Sequence, residues 1–174
     1  MIAAALLACA ANVAPITLEA VMRVESGGNP LAINVNQLSG PQPHPATLAD
    51  AVAAAQSYVA RGYSVDLGLM QVNSRNLAAL GVTIEEVLDP CANVKAGAAI
   101  LTANYAEAVR SRGEGQGALQ AALSAYNTGS FYQGFENGYV ARYYGSGGGA
   151  PLSRNPYTAD TQVFVREVSN LDPQ

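Results

Sequence analysis

A single carboxylate, Glu25, stands where the sequence pattern predicts an apolar residue. It is the fourth member of a core-facing stripe, at i, i+3, i+4 and i+7 of a predicted helix, after Leu18, Val21 and Met22. Partial burial and the negative end of the helix dipole both disfavour an ionised carboxylate at this place. A carboxylic acid that keeps its proton near neutral pH can act as a general acid. Taken alone, however, Glu25 better fits the ordinary alternative, a side chain that reaches solvent where the helix ends.

The composition excludes several other kinds of chemistry. The only histidine, His44, lies in a proline-rich segment, so the chain cannot build a histidine-based zinc site or a Ser-His-Asp triad. No glycine-rich segment has the lysine and the following helix of a phosphate-binding loop. Nine basic and 13 acidic residues give a net charge of −4 with no basic run, which argues against nucleic-acid binding. We therefore expect no metal, no cofactor and no nucleic-acid partner.

Three segments combine amides, hydroxyls and tyrosine in irregular positions: 25–34, 68–73 and 125–129. Neutral hydrogen-bonding groups beside aromatic rings suit a sugar, which offers hydroxyl and N-acetyl groups together with apolar ring faces. Each segment also has an ordinary explanation. Gly68 can simply allow close packing, Tyr126 can belong to the core, and Asn127 can begin a helix stop.

The order of these segments resembles a known family. Glu-Ser-Gly-Gly-Asn-Pro at 25–30, Gly-Leu-Met-Gln at 68–71 and Ala-Tyr-Asn-Thr-Gly at 125–129 follow one another as in the lytic transglycosylases with a goose-lysozyme-like fold. The resemblance covers residues 15 to 144. Within that group the chain looks most like the transglycosylase subunit of type IV secretion and conjugation systems. That narrower resemblance depends on the insertion 36–66 and on the segments 65–73 and 89–97.

The resemblance implies roles for individual residues. Glu25 matches the single catalytic acid of the family. Gln71 matches a groove residue that contacts the sugar beside the cleaved bond, and Tyr126 the tyrosine that positions the glutamate and the substrate. Many members have a serine nine residues after the glutamate and a methionine two residues after the glutamine, where this chain has Asn34 and Asn73. The other residues that the resemblance implies in substrate binding are Ser26, Asn34, Gly68, Met70, Asn73 and Asn127.

The implied reaction cleaves the β-1,4 bond between N-acetylmuramic acid and N-acetylglucosamine in peptidoglycan and forms a 1,6-anhydro ring. Glycosidases that use two carboxylates need a second Asp or Glu across the scissile bond. The nearest candidates are Asp66, two residues before Gly68, and Glu19, which lies off the stripe of Glu25. Two alternatives stay open. One is a hydrolytic lysozyme in which Asp66 positions water, and the other is an inactive module that binds peptidoglycan and recruits an assembly.

Length and composition favour one mostly helical domain. With 174 residues, 49% of them hydrophobic and 13% charged, the chain can bury a core. We expect a mostly α (α+β), lysozyme-like single domain with a small irregular or β lobe over residues 1–145. A flexible glycine-rich hinge and tail are expected over 146–174. Helices are predicted from 15 to the Gly27-Gly28 stop and over 47–61, 74–80, 83–88, 90–112, 118–126 and 135–144, with extended segments near 29–36, 63–66 and 161–165.

The insertion between Asn36 and Asp66 has its own pattern. Its helix should pack on the domain through an apolar face formed by Leu48, Val52, Ala55 and Val59. The proline-rich segment 39–45 should be exposed and mobile, because three prolines in five residues limit backbone pairing. We expect this loop to rim the sugar groove or to meet a secretion-system partner.

The N-terminal segment 1–11 is apolar like the core of a signal peptide but has no basic residues before it. We expect it to be the first helix of an exported, periplasmic domain whose export signal is absent from this sequence. A truncated signal peptide is the alternative. No apolar run reaches the roughly 20 residues that a membrane span needs.

An even cysteine count in an exported chain favours a disulfide between Cys9 and Cys91. Two buried free thiols are the alternative. We expect a monomer that acts on the glycan strands of peptidoglycan, and the resemblance adds type IV secretion components as partners.

Overall fold

Helices, the longest of 23 residues, account for most of the secondary structure, and one small sheet completes it. The computed structural model describes residues 4–144. They fall into two units, one formed by residues 4–10 and 21–97 and the other by 11–20 and 98–144. The predicted hinge and tail, and the strand expected over 161–165, lie outside the described residues. The domain boundary at residue 145 therefore stays a prediction.

The first unit contains the sheet and most of the short helices. Its elements confirm the predicted mostly helical fold with a small β lobe. In chain order they are α1 (Ala4–Leu7), a 3-10 turn (Ala8–Ala10), the end of α2 (Pro15–Ser26), β1 (Ile33–Val35), α3 (Leu48–Ala60), β2 (Val65–Leu67), β3 (Val72–Asn73), a second 3-10 turn (Ser74–Asn76), α4 (Leu77–Leu80), α5 (Ile84–Val87) and the start of α6 (Pro90–Arg112).

The sheet has one apolar face and one polar face. Its strands are antiparallel in the order β1-β2-β3, and the register places Asn34 opposite Asp66 and Asp66 opposite Asn73. Because side chains alternate along a strand, these three residues lie on one face, and each is half-buried. The opposite face joins the core through Ile33, Val35, Val65, Leu67 and Val72.

Helix α3 of the insertion begins where the sequence predicts. Thr47 caps it by accepting a hydrogen bond from the Asp50 N–H at 3.1 Å. The predicted apolar face is confirmed at Ala55, which is fully buried, but it is wrong at Leu48, which is 46% exposed. The buried face is rotated toward Ala51, so two alanines rather than the larger side chains make the closest packing.

The proline-rich segment 39–45 is less free than its composition predicts. The carboxamide of Gln42 pairs with Val35 at the outer edge of β1. Its Oε1 accepts from the Val35 N–H at 2.7 Å, and its Nε2 donates to the Val35 carbonyl at 3.0 Å. A side-chain amide thus replaces a fourth strand and covers the edge. The prediction of a wholly exposed loop is wrong at Gln42, which is half-buried.

All regular elements in the described part of the second unit are helices. It contains the start of α2, the end of α6, α7 (Gln116–Thr128), α8 (Gln133–Glu136) and α9 (Ala141–Tyr144). The prediction of one helix over 135–144 is wrong. The chain turns between the two helices, with Gly138 at φ 77°, so that Tyr139 and Val140 are both buried. A left-handed residue cannot continue a right-handed helix, so the turn at Gly138 separates α8 from α9.

A disulfide joins Cys9 to Cys91 with a Cα–Cα distance of 5.5 Å, as predicted. It connects the 3-10 turn after α1 to the first turn of α6 and closes a separation of 82 residues.

Within residues 4–144, no single helix has the length and hydropathy of a membrane span. A bent pair, Ala4–Ala10 with Pro15–Ser26, passes the same test on length and composition only.

Candidate active site

Glu25 is the next-to-last residue of α2 and is half-buried. The helix stops where the sequence predicts, because Gly27 and Gly28 adopt left-handed φ angles of 64° and 81°. Their N–H groups donate to the carbonyls of Arg23 and Met22, each at 3.1 Å. The carboxylate therefore sits at the carbonyl end of the helix, on a backbone that the two glycines fix.

Ser26 ties this helix end to the turn that carries Gln71. Its Oγ lies 2.7 Å from the Leu69 carbonyl and 3.0 Å from the Met22 carbonyl, and it accepts from the Gly28 N–H at 3.2 Å. The Ser26 hydroxyl thus makes its hydrogen bonds to backbone groups of the protein. Its expected contact with substrate stays a prediction.

The turn from Gly68 to Gln71 is held in a left-handed conformation at both ends. Gly68 has φ 72° and Gln71 has φ 49°, which is unusual for a residue with a side chain. The Gly68 N–H donates to the Ala32 carbonyl at 2.8 Å, and the Gln71 N–H donates to the Gly68 carbonyl at 3.1 Å. This short turn thus links β2 to the segment that precedes β1.

The Gln71 side chain presents a hydrogen-bond acceptor. Its Nε2 donates to the carbonyls of Gly68 at 2.9 Å and Ala32 at 3.2 Å, which uses both amide hydrogens. The Oε1 atom has no partner among the described residues. It is accessible to solvent, because no buried side-chain oxygen in this part of the chain lacks a partner. A sugar hydroxyl or amide N–H is the kind of group it can bind.

Asn93 supports the same turn and was missed as a site residue by the sequence analysis. It lies in α6 and is 1% exposed. Its Nδ2 donates to the carbonyls of Leu67 at 2.9 Å and Val87 at 2.8 Å, while its Oδ1 accepts from the Met70 N–H at 2.8 Å. The only signal in the sequence was a polar, poor helix former in the first turn of an apolar helix.

The Asp66 carboxylate accepts hydrogen bonds from three side-chain amides. Its Oδ2 accepts from Asn34 at 3.1 Å and from Asn36 at 2.9 Å, and its Oδ1 accepts from Asn73 at 2.6 Å. Ser64 completes the cluster, lying 2.7 Å from the Asn73 amide nitrogen. The carboxylate joins all three strands across the polar face of the sheet.

The two departures from the family pattern have a common explanation in this cluster. Asn34 and Asn73 occupy the positions where many members have serine and methionine, and both donate to the same carboxylate. Because Asp66 lies opposite each of them in the sheet register, a short amide donor on either neighbouring strand reaches it directly. Their expected contacts with substrate stay predictions.

Tyr126 and Asn127 lie on α7 and belong to the second unit, whereas the other candidate residues belong to the first. Tyr126 is half-buried and Asn127 is exposed. Helix α7 ends at Gly129, which has φ 73° and donates its N–H to the Ala125 carbonyl at 2.8 Å. Asn127 Oδ1 accepts from Asn137 at 3.3 Å, which ties it to the segment after α8.

Packing of α8 fixes the chain that follows Asn127. Ser124, fully buried on α7, accepts from the Gly134 N–H at 2.8 Å and donates to the Ser130 carbonyl at 2.6 Å. A methyl group at Gly134 would lie 2.6 Å from the Ser124 Cα, so only glycine permits this approach.

Met70 differs from the other candidates because its side chain is fully buried. The structure gives it a packing position, and its expected contact with substrate stays a prediction. Within residues 4–144 there is no group of three or more His, Cys, Asp or Glu side chains that could hold a metal ion.

Comparison with known proteins agrees with the motif order. The sequence matches the family described as the Transglycosylase SLT domain over residues 3–143. The chain belongs to this family. The SLT match spans Glu25, Gln71 and Tyr126, and it includes both cysteines.

Two curated relatives carry the name virB1, and the name of one of them refers to type IV secretion. The chain is 42% identical to the Protein virB1 of Agrobacterium fabrum over 134 residues, which cover 77% of this chain and 54% of that protein. It is 45% identical over 130 residues to the Type IV secretion system protein virB1 of Brucella abortus, covering 74% of this chain and 54% of that protein. The chain therefore spans about half the length of these relatives. No solved structure matches the chain.

Proposed function

We propose that this SLT-family chain is a peptidoglycan lytic transglycosylase. It cleaves the β-1,4 bond between N-acetylmuramic acid and N-acetylglucosamine and leaves a 1,6-anhydro end on the muramic acid. The observation that carries the proposal is the different surroundings of the two candidate carboxylates, Glu25 and Asp66. Glu25 stands at a helix end within the matched motif, whereas all three amide donors around Asp66 are directed at that carboxylate.

In this reaction Glu25 acts twice. As a carboxylic acid it donates its proton to the glycosidic oxygen, and the bond from that oxygen to the anomeric carbon breaks. The 2-acetamido carbonyl of the muramic acid supports the positive charge that develops on the ring. The Glu25 carboxylate then takes the proton of the C6 hydroxyl as that oxygen bonds to the anomeric carbon. The acid is regenerated and no water is consumed.

The contacts of Asp66 favour this mechanism over hydrolysis. A carboxylate that activates water must hold the water in one of its acceptor positions. Three of the roughly four acceptor positions of Asp66 already take amide N–H groups, which come from the two neighbouring strands and from Asn36. Asp66 is therefore assigned a structural role on the polar face of the sheet, and the second functional group of the reaction comes from the substrate.

Gln71 is assigned to substrate binding because of its accessible Oε1. That oxygen would accept a hydrogen bond from a hydroxyl or an N-acetyl N–H of the sugar beside the cleaved bond. Tyr126 and Asn127 enter the proposal through the family match and the motif order alone.

The biological role proposed is local opening of the cell wall while a secretion or conjugation apparatus is assembled. The support is the printed name of the Brucella relative, which is a type IV secretion system protein. A periplasmic location is proposed with it, because that compartment holds the substrate and allows the Cys9–Cys91 disulfide to form. Components of the apparatus are proposed as partners of a monomeric enzyme.

Digestion of purified peptidoglycan sacculi tests the reaction. The products are separated and weighed by mass spectrometry after treatment with the protein. We expect muropeptides that end in 1,6-anhydro-muramic acid, each lighter by one water than the hydrolysed product. Reducing-end muropeptides of ordinary mass would instead show a hydrolytic lysozyme. Binding to sacculi without soluble products would show a peptidoglycan-binding module.

A further inference from the structure

Asn93 is the only buried polar residue among the described residues of the first unit. A buried carboxamide is stable only when its donors and acceptor are paired. All of its partners are backbone groups: the carbonyls of Leu67 and Val87 and the N–H of Met70. None of these three groups belongs to α6. The Asn93 side chain therefore holds segments outside its own helix.

Two of these partners flank the turn that leads to Gln71. Leu67 precedes Gly68, and Met70 precedes Gln71, so one carboxamide holds both sides of the turn. Gly68 fits against it without a side chain, because a methyl group there would overlap the Asn93 Nδ2. The turn needs such support, since Gln71 keeps a left-handed φ of 49° that a residue with a side chain rarely adopts.

We propose that Asn93 is a positioning residue for the reaction, which fixes the turn that presents Gln71 Oε1 to the sugar. It acts through the backbone of residues 67–70 and touches no substrate. The inference rests on the proposed function, because the binding role of Gln71 is part of that function. The claim that Asn93 fixes the turn is tested by hydrogen exchange, separately from activity.

The first test is a double-mutant cycle between Asn93→Ala and Gln71→Ala. Cleavage of soluble peptidoglycan fragments is measured well below the unfolding midpoint of each variant. We expect each single change to lower kcat/KM by about 10–100-fold. The double variant should lose no more than the worse single variant, because both changes disable one unit. Losses that multiply, or normal turnover by folded Asn93→Ala, would overturn the proposal.

Leu77→Ala is the control for lost stability alone. It truncates a buried side chain on α4 that makes no hydrogen bond to the turn. Its folded fraction should cleave at the wild-type rate within about twofold. If Leu77→Ala lost as much turnover as Asn93→Ala, the effect of Asn93 would be general destabilisation and the proposal would fail.

If Asn93→Ala does not fold, alanine substitutions at two matched glycines provide a second test. Gly68 and Gly81 have φ angles of 72° and 68°, so alanine strains the backbone equally at each. Only at Gly68 would the new methyl group meet Asn93, since the space around Gly81 is open. We expect Gly68→Ala to lose at least about tenfold in kcat/KM and Gly81→Ala to keep it. Equal rates in the two variants would overturn the proposal.

Hydrogen exchange gives a readout that does not require activity. In the wild type the Met70 N–H is paired with a fully buried oxygen and should exchange slowly. In Gly68→Ala, and in Asn93→Ala where it folds, exchange at Met70 and Gln71 should accelerate by about tenfold or more, while α7 stays protected. The exchange measurement gives this result even for a protein without cleavage activity. Failure of the proposed function can therefore be distinguished from failure of the inference about Asn93. Unchanged exchange at Met70 would overturn the proposal.

Discussion

Glu25 and Asp66, the two candidate carboxylates, have different neighbours. Asp66 accepts three amide N–H groups and connects the strands of the sheet. Glu25 lies in the last turn of a helix in which the N–H groups of two left-handed glycines pair with the carbonyls of Arg23 and Met22. The position of Glu25 near a helix end follows from a short sequence motif. The contacts of Asp66 depend on strand register, so the spacing of residues along the chain does not reveal them.

Replacing Asp66 with asparagine should therefore damage stability. In Asp66→Asn the side chain has one acceptor oxygen and one donor NH2 group. It faces three amide donors that each need an acceptor. We expect the free energy of unfolding to fall by about 1–3 kcal/mol. Urea denaturation followed by circular dichroism measures it. Glu85→Gln, which removes an exposed carboxylate on α5, should change it by less than about 0.5 kcal/mol. Equal stability of the two variants would contradict the structural role of Asp66.

Individual residues of the site were predictable to different degrees. Glu25 became a candidate because an acidic residue interrupts an apolar stripe, although only the motif order favoured it as the catalytic acid. The motif order then pointed to Gln71 and Tyr126, which the structure places but does not test in a reaction. Asn93 could not be found, because its partners are backbone groups that only the folded chain brings to it. The carbonyl of Leu67, for example, is 26 residues away along the chain.

At the scale of elements, local signals predicted where helices begin and end. Thr47 caps α3, Pro90 begins α6, and Gly27 and Gly28 end α2, each as expected from residue type. The errors came where tertiary contacts override the local pattern. The segment expected as one helix over 135–144 is divided by a left-handed turn at Gly138, after which Tyr139 and Val140 pack into the core. The Gln42 carboxamide pairs with an edge strand that no local pattern reveals.

Helix α9 gives a prediction for alkaline pH. Burial raises the pKa of Tyr144 from 10.0 to about 12, although a hydrogen bond from Gln120 opposes the shift. Its hydroxyl also donates to Gln116 Oε1 at 3.0 Å, at the start of α7. Because folding favours the neutral phenol, its stabilising contribution is complete below pH 10 and is lost as the pH rises toward 12.

Tyr144→Phe tests that contribution. We expect the variant to be less stable than the wild type by about 1 kcal/mol at pH 8, because the hydrogen bond to Gln116 is lost. The difference between the two proteins should shrink between pH 10 and 12, while titration of the other tyrosines affects both equally. Denaturant unfolding at several pH values measures this. A difference that stays constant to pH 12 would contradict the assignment.

At the scale of the whole molecule, a disulfide supplies a constraint that helix packing alone does not. Cys9 and Cys91 are 82 residues apart, and their bond holds the N-terminal helix of the first unit to α6. The chain-entropy model assigns a loop of this size a stabilisation of about 4–5 kcal/mol. The cysteine count and the expected export were sufficient to predict this pairing, since only two cysteines are present.

Removing the disulfide should therefore lower stability with little effect on the folded active site. Changing both cysteines to serine should reduce the free energy of unfolding by about 2–5 kcal/mol, as measured by denaturant unfolding. In the wild type, alkylation without reductant should leave the mass unchanged. Two labelled thiols in protein purified under oxidising conditions would refute the bond.

The most direct test of the mechanism compares cleavage by Glu25→Gln with cleavage by Asp66→Asn. Glutamine keeps the shape of Glu25 but cannot donate or accept the transferred proton. We expect Glu25→Gln to lose about 10²–10⁴-fold in kcat with an unchanged circular dichroism spectrum. The folded fraction of Asp66→Asn should lose far less. Near-normal turnover by Glu25→Gln, or equal losses in the two variants, would contradict a mechanism that uses one carboxylate.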